Sequence, residues 1–202
     1  MRFRYLLIIL LIVMVRPSCS AQMNLRDTVK EYNKQRLIIN LKGMQVLTGW
    51  GIANTAVGAA GYFAAKDDQW KYFHGMNAAW GIVNTGIAAY GFSRIKNQAR
   101  ERVDFNKAYN HYKQDKKVLL VNMGLDVAYI AGGYYLMNLG TTDHNNPQLY
   151  LGFGRSIMIQ GAFLLAFDNI LLLSHNKYSG HWATILDEMR FTGNGFSYVH
   201  TF

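Results

Sequence analysis

With 202 residues, a single cysteine and a formal net charge of +9, the chain is long enough for one domain of ordinary size. One cysteine excludes an internal disulfide framework and a Cys-based metal site. Half of the residues are hydrophobic, yet mean hydropathy is near zero, because charge is segregated along the chain. Residues 43–65 and 72–93 hold no Asp, Glu, Lys or Arg; residues 118–142 hold only Asp126, and residues 156–176 only Asp168. Each stretch is long enough to cross a hydrocarbon core, which takes about 20 helical residues. A soluble four-helix bundle, the competing architecture, needs charged outer faces at helical spacing, and these stretches lack them. The expected fold is therefore all-α: a polytopic membrane protein with a four-helix transmembrane bundle.

The first segment, "MRFRYLLIILLIVMVRPSCSAQ", places Arg2 and Arg4 before an eleven-residue apolar run, Tyr5 to Val15. That run is short for a span and suits the core of a signal peptide, residues 1–21, cleaved after Ala21 to leave Gln22 first. Acylation of Cys19 and retention as an uncleaved anchor are the alternatives. Arg16, directly after the apolar run, keeps the anchor open, whereas Arg16-Pro17-Ser18 lacks the apolar residue that acylation prefers.

Residues 22–42 read as a basic amphipathic segment, with Leu25, Val29 and Tyr32 on one stripe and Arg26, Lys30, Lys34 and Arg36 elsewhere. Spans are expected at about 43–65 and 72–93, antiparallel across the short link "KDDQWKY". The connection 94–117 carries eight basic residues, with partial helical periodicity at Ile95, Ala99, Val103, Tyr109 and Tyr112. It reads as a helix lying at the interface, facing anionic headgroups, or as a solvated charged helix. No nucleic-acid recognition motif accompanies the charge, so no nucleic-acid partner is expected. The last two spans are expected at about 118–138 and 149–173, separated by the turn-rich "GTTDHNNPQ". The tail, 174–202, ends "GFSYVHTF"; its alternating aromatics suggest a barrel strand, but the Ala-rich runs elsewhere argue against a barrel, and the pattern reads as coincidence.

The first two spans share a motif. "WGIANTAVGAAGYF" (50–63) and "WGIVNTGIAAYGFS" (80–93) are identical at seven of fourteen positions. Antiparallel spans with one motif imply an inverted repeat about an axis in the membrane plane. Asn54 and Asn84 then fall near the midplane, able to bond across a tight crossing lined by Gly51, Thr55, Gly58, Gly81, Thr85 and Ala89. Gln160 lies at similar depth. Asp126 and Asp168 fall in one half of the bilayer, and Arg155 enters the last span from the other end. Intramembrane carboxylates are costly and normally face the bundle interior or a water-filled cavity. Asn54, Asn84, Asp126, Gln160 and Asp168 are therefore the candidate polar site. It is read either as proton or cation handling or as polar glue, with an Asp bonded to a neighbour such as Tyr129.

"NLKGMQVLTGW" (40–50), "YFHGMNAAWGIVNTGIAAYGF" (72–92), "GLDVAYIAGG" (124–133) and "GFGRSIMIQGAFLLAFD" (152–168) resemble an uncharacterised family of small bacterial membrane proteins, largely from Bacteroidota. The resemblance covers about residues 36–173. It implies a four-helix membrane domain in a bacterial host and no assigned activity.

No HExxH, GxSxG or phosphate-loop motif is present, and the six histidines are scattered. The surroundings of Asp126 ("GLDV") and Asp168 ("AFDN") differ from those of intramembrane aspartyl proteases. No enzyme activity, cofactor or metal is expected. The expected function is that of a membrane binding or assembly module, as a homo-oligomer or with a partner membrane protein. The alternative is a small-solute, proton or cation transport component. A bacterial cell membrane is expected, inner rather than outer. Orientation is contested within the sequence itself. A cleaved signal exports the 94–117 connection, whereas the positive-inside rule, with fifteen basic residues against three, keeps it in the cytoplasm. The charge bias is the stronger signal for the core.

Overall fold

A computed structural model describes the backbone of residues 2–142, 145–191 and 196–198, and the side chains of residues 26–142 and 145–178. Four helices follow in chain order: α1 (Arg2–Ala64), α2 (Asp68–Arg100), α3 (Phe105–Thr142) and α4 (Pro147–Glu188). The starts of α2, α3 and α4 are marked in the sequence. Asp67 caps α2 by accepting from the Trp70 N–H at 3.0 Å, and Asp104 does the same for α3 from the Lys107 N–H at 2.9 Å. Pro147 starts α4, where a missing N–H costs nothing.

Three expected boundaries are corrected. The basic segment 22–42 and the first span form one uninterrupted helix, because a single stripe runs through both. Val29, Tyr32, Arg36, Gly43, Leu47, Gly51 and Gly58 are all buried, at spacings of three, four or seven residues. The 94–117 connection is not a separate interfacial helix: α2 continues to Arg100, the chain breaks at 101–104, and α3 begins at Phe105. The last helix runs past 173 to Glu188, and the tail adds two short antiparallel strands, β1 (Met189–Phe191) and β2 (Phe196–Tyr198), pairing Met189 with Tyr198 and Phe191 with Phe196. The alternating aromatics of the tail thus do form a strand, in a local hairpin rather than a barrel. Residues 199–202 lie outside the described residues. The signal-peptide reading concerns residues whose side chains also lie outside them; their backbone continues α1.

The helices assemble as two antiparallel pairs, α1 with α2 and α3 with α4, joined mainly by α2 against α4. Glycine permits both close crossings. A methyl at Gly51 would strike Thr85 and the Gly81 carbonyl, and one at Gly81 would strike Thr55 and the Gly51 carbonyl. The same reciprocal contact recurs in the other pair, where Gly133 meets Gly154 and Met158, and Gly154 meets Gly133 and Met137. Thr55 and Thr85 return their hydroxyls to the Gly51 and Gly81 carbonyls of their own helices, at 2.9 and 2.8 Å, and so stay compact at the crossing. Ala88, fully buried, takes the inward place expected of Ala89, which is exposed.

The usual distribution of polarity is reversed. Apolar side chains crowd the outside: Phe63 is 85% exposed, Tyr90 73%, and Val57, Ile82, Ile170 and Leu173 64% each. Arg36, Asn84, Asp126, Ser156, Gln160, Asp168 and His175 are buried. Helices α3 and α4 are long and apolar enough to cross a membrane. Helices α1 and α2 are as free of charge over 43–65 and 72–93, but their Gly, Ala, Asn and Thr lower the average hydropathy.

Candidate functional site

Gln160, at the centre of α4, is fully buried and organises an amide network among three helices. Its amide N–H groups donate to Asn54 Oδ1 (2.8 Å) and Asn77 Oδ1 (2.9 Å). Its Oε1 accepts from Trp50 Nε1 (2.9 Å) and, at 3.4 Å, from Asn84 Nδ2. Ser156, one turn earlier, donates to Asn77 Oδ1 at 2.9 Å. The expected bond between Asn54 and Asn84 is corrected: both reach Gln160 instead, and Asn54 also donates to the Trp50 carbonyl at 2.8 Å. A third helix supplies a side chain with both a donor and an acceptor, which satisfies two asparagines at once. The Trp50 ring stacks on Phe163 at 3.8 Å between centroids, which orients its N–H toward Gln160.

Asp126 of α3 and Asp168 of α4 do meet. Their carboxyl groups are within hydrogen-bonding contact, and Asn122 bonds Asp168. No ion pair reaches either carboxyl among the described residues. Asp126 Oδ2 and Asn84 Oδ1 have no hydrogen-bond partner, nor does the Trp80 N–H. Tyr129 does not serve as the Asp126 partner; its ring instead sits edge-on to Trp80, 5.1 Å between centroids. Trp80, Asn84, Asn122, Asp126 and Asp168 line a cavity of about 170 Å³. A second cavity, of about 200 Å³, shares Leu47, Ile87, Asn122, Phe167 and Asp168 with it and extends to Arg94 and Asp115.

At that far end lies a charged cluster that the sequence reading missed. Arg36, fully buried, donates to Asp115 Oδ2 at 2.6 Å, to Asn33 Oδ1 at 2.9 and 3.2 Å, and to Gln98 Oε1 at 2.9 Å. Asp115 also accepts from Asn40 (2.8 Å) and Arg94 (3.2 Å). Asn40 Oδ1 in turn lies 2.9 Å from His175 Nε2, which must carry the proton of that bond because the amide oxygen has none. All four helices contribute, so the cluster fixes their register at one end. The available signal was the spacing Arg36, Asn40, Gly43, Leu47, Gly51, which puts Arg36 on the same face as the glycine crossing. At the opposite end Arg155 lies over the Trp70 ring, 5.9 Å from its centroid.

The arrangement offers amide and carboxyl oxygens and indole and amide N–H groups. Among the described residues no three of His, Cys, Asp and Glu converge on a common point.

The chain belongs to DUF6992, a family of unknown function, whose profile matches residues 46–169. That region contains the amide network and both aspartates but stops short of Arg36 and His175. No curated protein and no solved structure matches the chain.

Proposed function

We propose, on the premise of membership in a family with no assigned activity, that this protein is an integral membrane assembly or binding module of a bacterial cell membrane. All four helices cross the bilayer in this reading. One observation carries it: large apolar side chains cover the outside of the bundle while Asn, Gln, Asp and Arg are buried inside, beside a small apolar core. In water such a surface would aggregate, and in lipid it is the expected solvent-facing side. The inner membrane is favoured because closed helical hydrogen bonding, not a barrel, satisfies the backbone. The protein acts by packing rather than by catalysis. Glycines at the surface support a second copy as partner: exposed Gly49, Gly86 and Gly124 and half-buried Gly132 have open space where a Cβ would sit, so another helix can approach closely. The basic residues gathered beyond the spans suit anionic headgroups.

Membrane fractionation tests this reading. The protein is expected in the pellet after alkaline carbonate washing; release into the supernatant would remove the transmembrane reading. For orientation, a cysteine at Asn106 in a Cys19→Ser background is expected to react with an impermeant maleimide only after cell lysis, following the positive-inside rule. Labelling of intact cells, with residues 1–21 missing from the intact mass, would establish the cleaved-signal topology instead.

A second reading, as part of a transport path for a small solute or ion, is favoured by the two cavities that join the aspartate pair to the charged cluster.

A further inference from the structure

Beyond the membrane-assembly reading, we propose that Asp126, Asp168 and Asn84 form an interior binding site for a partly hydrated alkali-metal cation.

Charge is the first argument. Asp126 and Asp168 are both buried and no Lys, Arg or His pairs with them among the described residues. The groups facing the pair from each helix are neutral: Leu47 from α1, Trp80, Asn84 and Ile87 from α2, Asn122 and Tyr129 from α3, and Leu164 and Phe167 from α4. The nearest guanidinium along the cavities, Arg94, is engaged with Asp115. Buried carboxylates without a partner are costly, so something that enters from outside the side-chain set must balance them.

The unsatisfied atoms identify what enters. A carboxyl–carboxyl hydrogen bond needs one proton, and with that proton held between them the pair keeps one negative charge. Either oxygen of Asp126 can serve in that contact, whereas Asn84 Oδ1, a carbonyl oxygen, takes no part in it and stays without a partner; both residues line the 170 Å³ cavity. An inward amide oxygen beside carboxylate oxygens that share one negative charge matches a monovalent, oxygen-seeking ion. They do not match a transition metal, which seeks imidazole or thiolate, and no such set converges here. The Trp80 N–H is the third unpartnered group on the same cavity. A donor cannot ligate a cation, but a water in the ion's shell accepts its hydrogen bond. One hydrated ion therefore satisfies Asn84 Oδ1 directly and the Trp80 N–H through a water of its shell, and the cavity has room for an ion with several waters. The adjoining 200 Å³ cavity, with a mainly apolar lining, runs from Asp168 and Asn122 to Arg94 and Asp115 at the basic end.

The site lies inside the bundle whatever surrounds it, so its failure is separable from that of the membrane reading, which rests on fractionation. The test uses the full chain purified in detergent, with thermal unfolding followed in lithium, sodium, potassium or N-methylglucamine chloride at equal ionic strength. At least one alkali ion is expected to raise the midpoint saturably above the N-methylglucamine value. Radioactive sodium or rubidium retained by the protein gives an independent readout. Asp168→Asn and Asn84→Leu are expected to abolish the ion-dependent increment. If either variant fails to fold, competition among the ions on the natural chain still decides. Equal midpoints in all four salts with no retained label would mean that the pair holds protons only, and would overturn the proposal. In a further arm with calcium or magnesium chloride, a rise there and in none of the alkali salts would overturn its monovalent assignment.

Discussion

Around Gln160 the interior is polar but neutral, whereas around Asp115 it is ionic. Along α2 the two regions are separated by the fourteen residues from Asn84 to Gln98, about 21 Å of helix rise. The neutral network uses asparagine, glutamine, serine and indole groups, which can be satisfied pairwise without any net charge. The ionic cluster uses two guanidiniums on one carboxylate, supported by Asn33, Asn40 and Gln98. The difference follows depth. In the proposed membrane setting, charged groups are cheapest near a bundle end, where water and headgroups are close, and amides are tolerated in the middle. Both regions hold helices together, but the ionic one joins four helices and the amide one joins three.

That contrast predicts a ranking of effects. Removing one ionic partner costs most. Arg36→Met leaves Asp115 short of its closest partner inside the bundle and is expected to lower unfolding free energy by about 3–5 kcal/mol. Chemical unfolding in detergent measures this, and a loss under about 1 kcal/mol would show that the cluster is solvated. The double variant Arg36→Met, Asp115→Leu is expected to lose less than Arg36→Met alone, because no buried carboxylate is stranded. The amide hub comes next. Gln160→Leu orphans the Trp50 N–H and the Asn54 oxygen and is expected to cost about 1–3 kcal/mol by the same measurement. If it matched Arg36→Met, charge would not distinguish the two regions. The smallest effect belongs to a peripheral member: Asn54→Leu, with Gln160 still bound to Asn77 and Trp50, is expected to cost about 0.6–1.7 kcal/mol. A double-mutant cycle between Asn54 and Gln160 sharpens the comparison further. Coupling near zero would mean that the 2.8 Å bond contributes nothing beyond packing.

The sequence by itself determined the four helical stretches, their antiparallel pairing and the small-residue crossing. These depend on local composition: charge-free runs, short polar links, and glycine at repeated spacing. It also brought Asn54, Asn84, Gln160, Asp126 and Asp168 to notice, because a polar residue stands out in an apolar run. It could not tell which asparagine meets which partner. Asn77 and Ser156 sit near the ends of their stretches and were not singled out, yet both belong to the network. Arg36 was read with Arg26, Lys30 and Lys34 as lying off the apolar stripe, and Lys30 and Lys34 are indeed exposed. Only the packing of α1 against the other helices decided that Arg36 turns inward while they do not. The physical reason is that the inward stripes mix apolar residues such as Val29, Leu47, Leu119 and Phe167 with polar ones such as Arg36, Asn84, Asp126 and Gln160, while large apolar side chains also cover the outside. A search for apolar periodicity therefore cannot separate the two faces of such a bundle. Which polar atoms inside satisfy one another depends on helix rotation and register, and these are set by glycine contacts between segments distant in the chain.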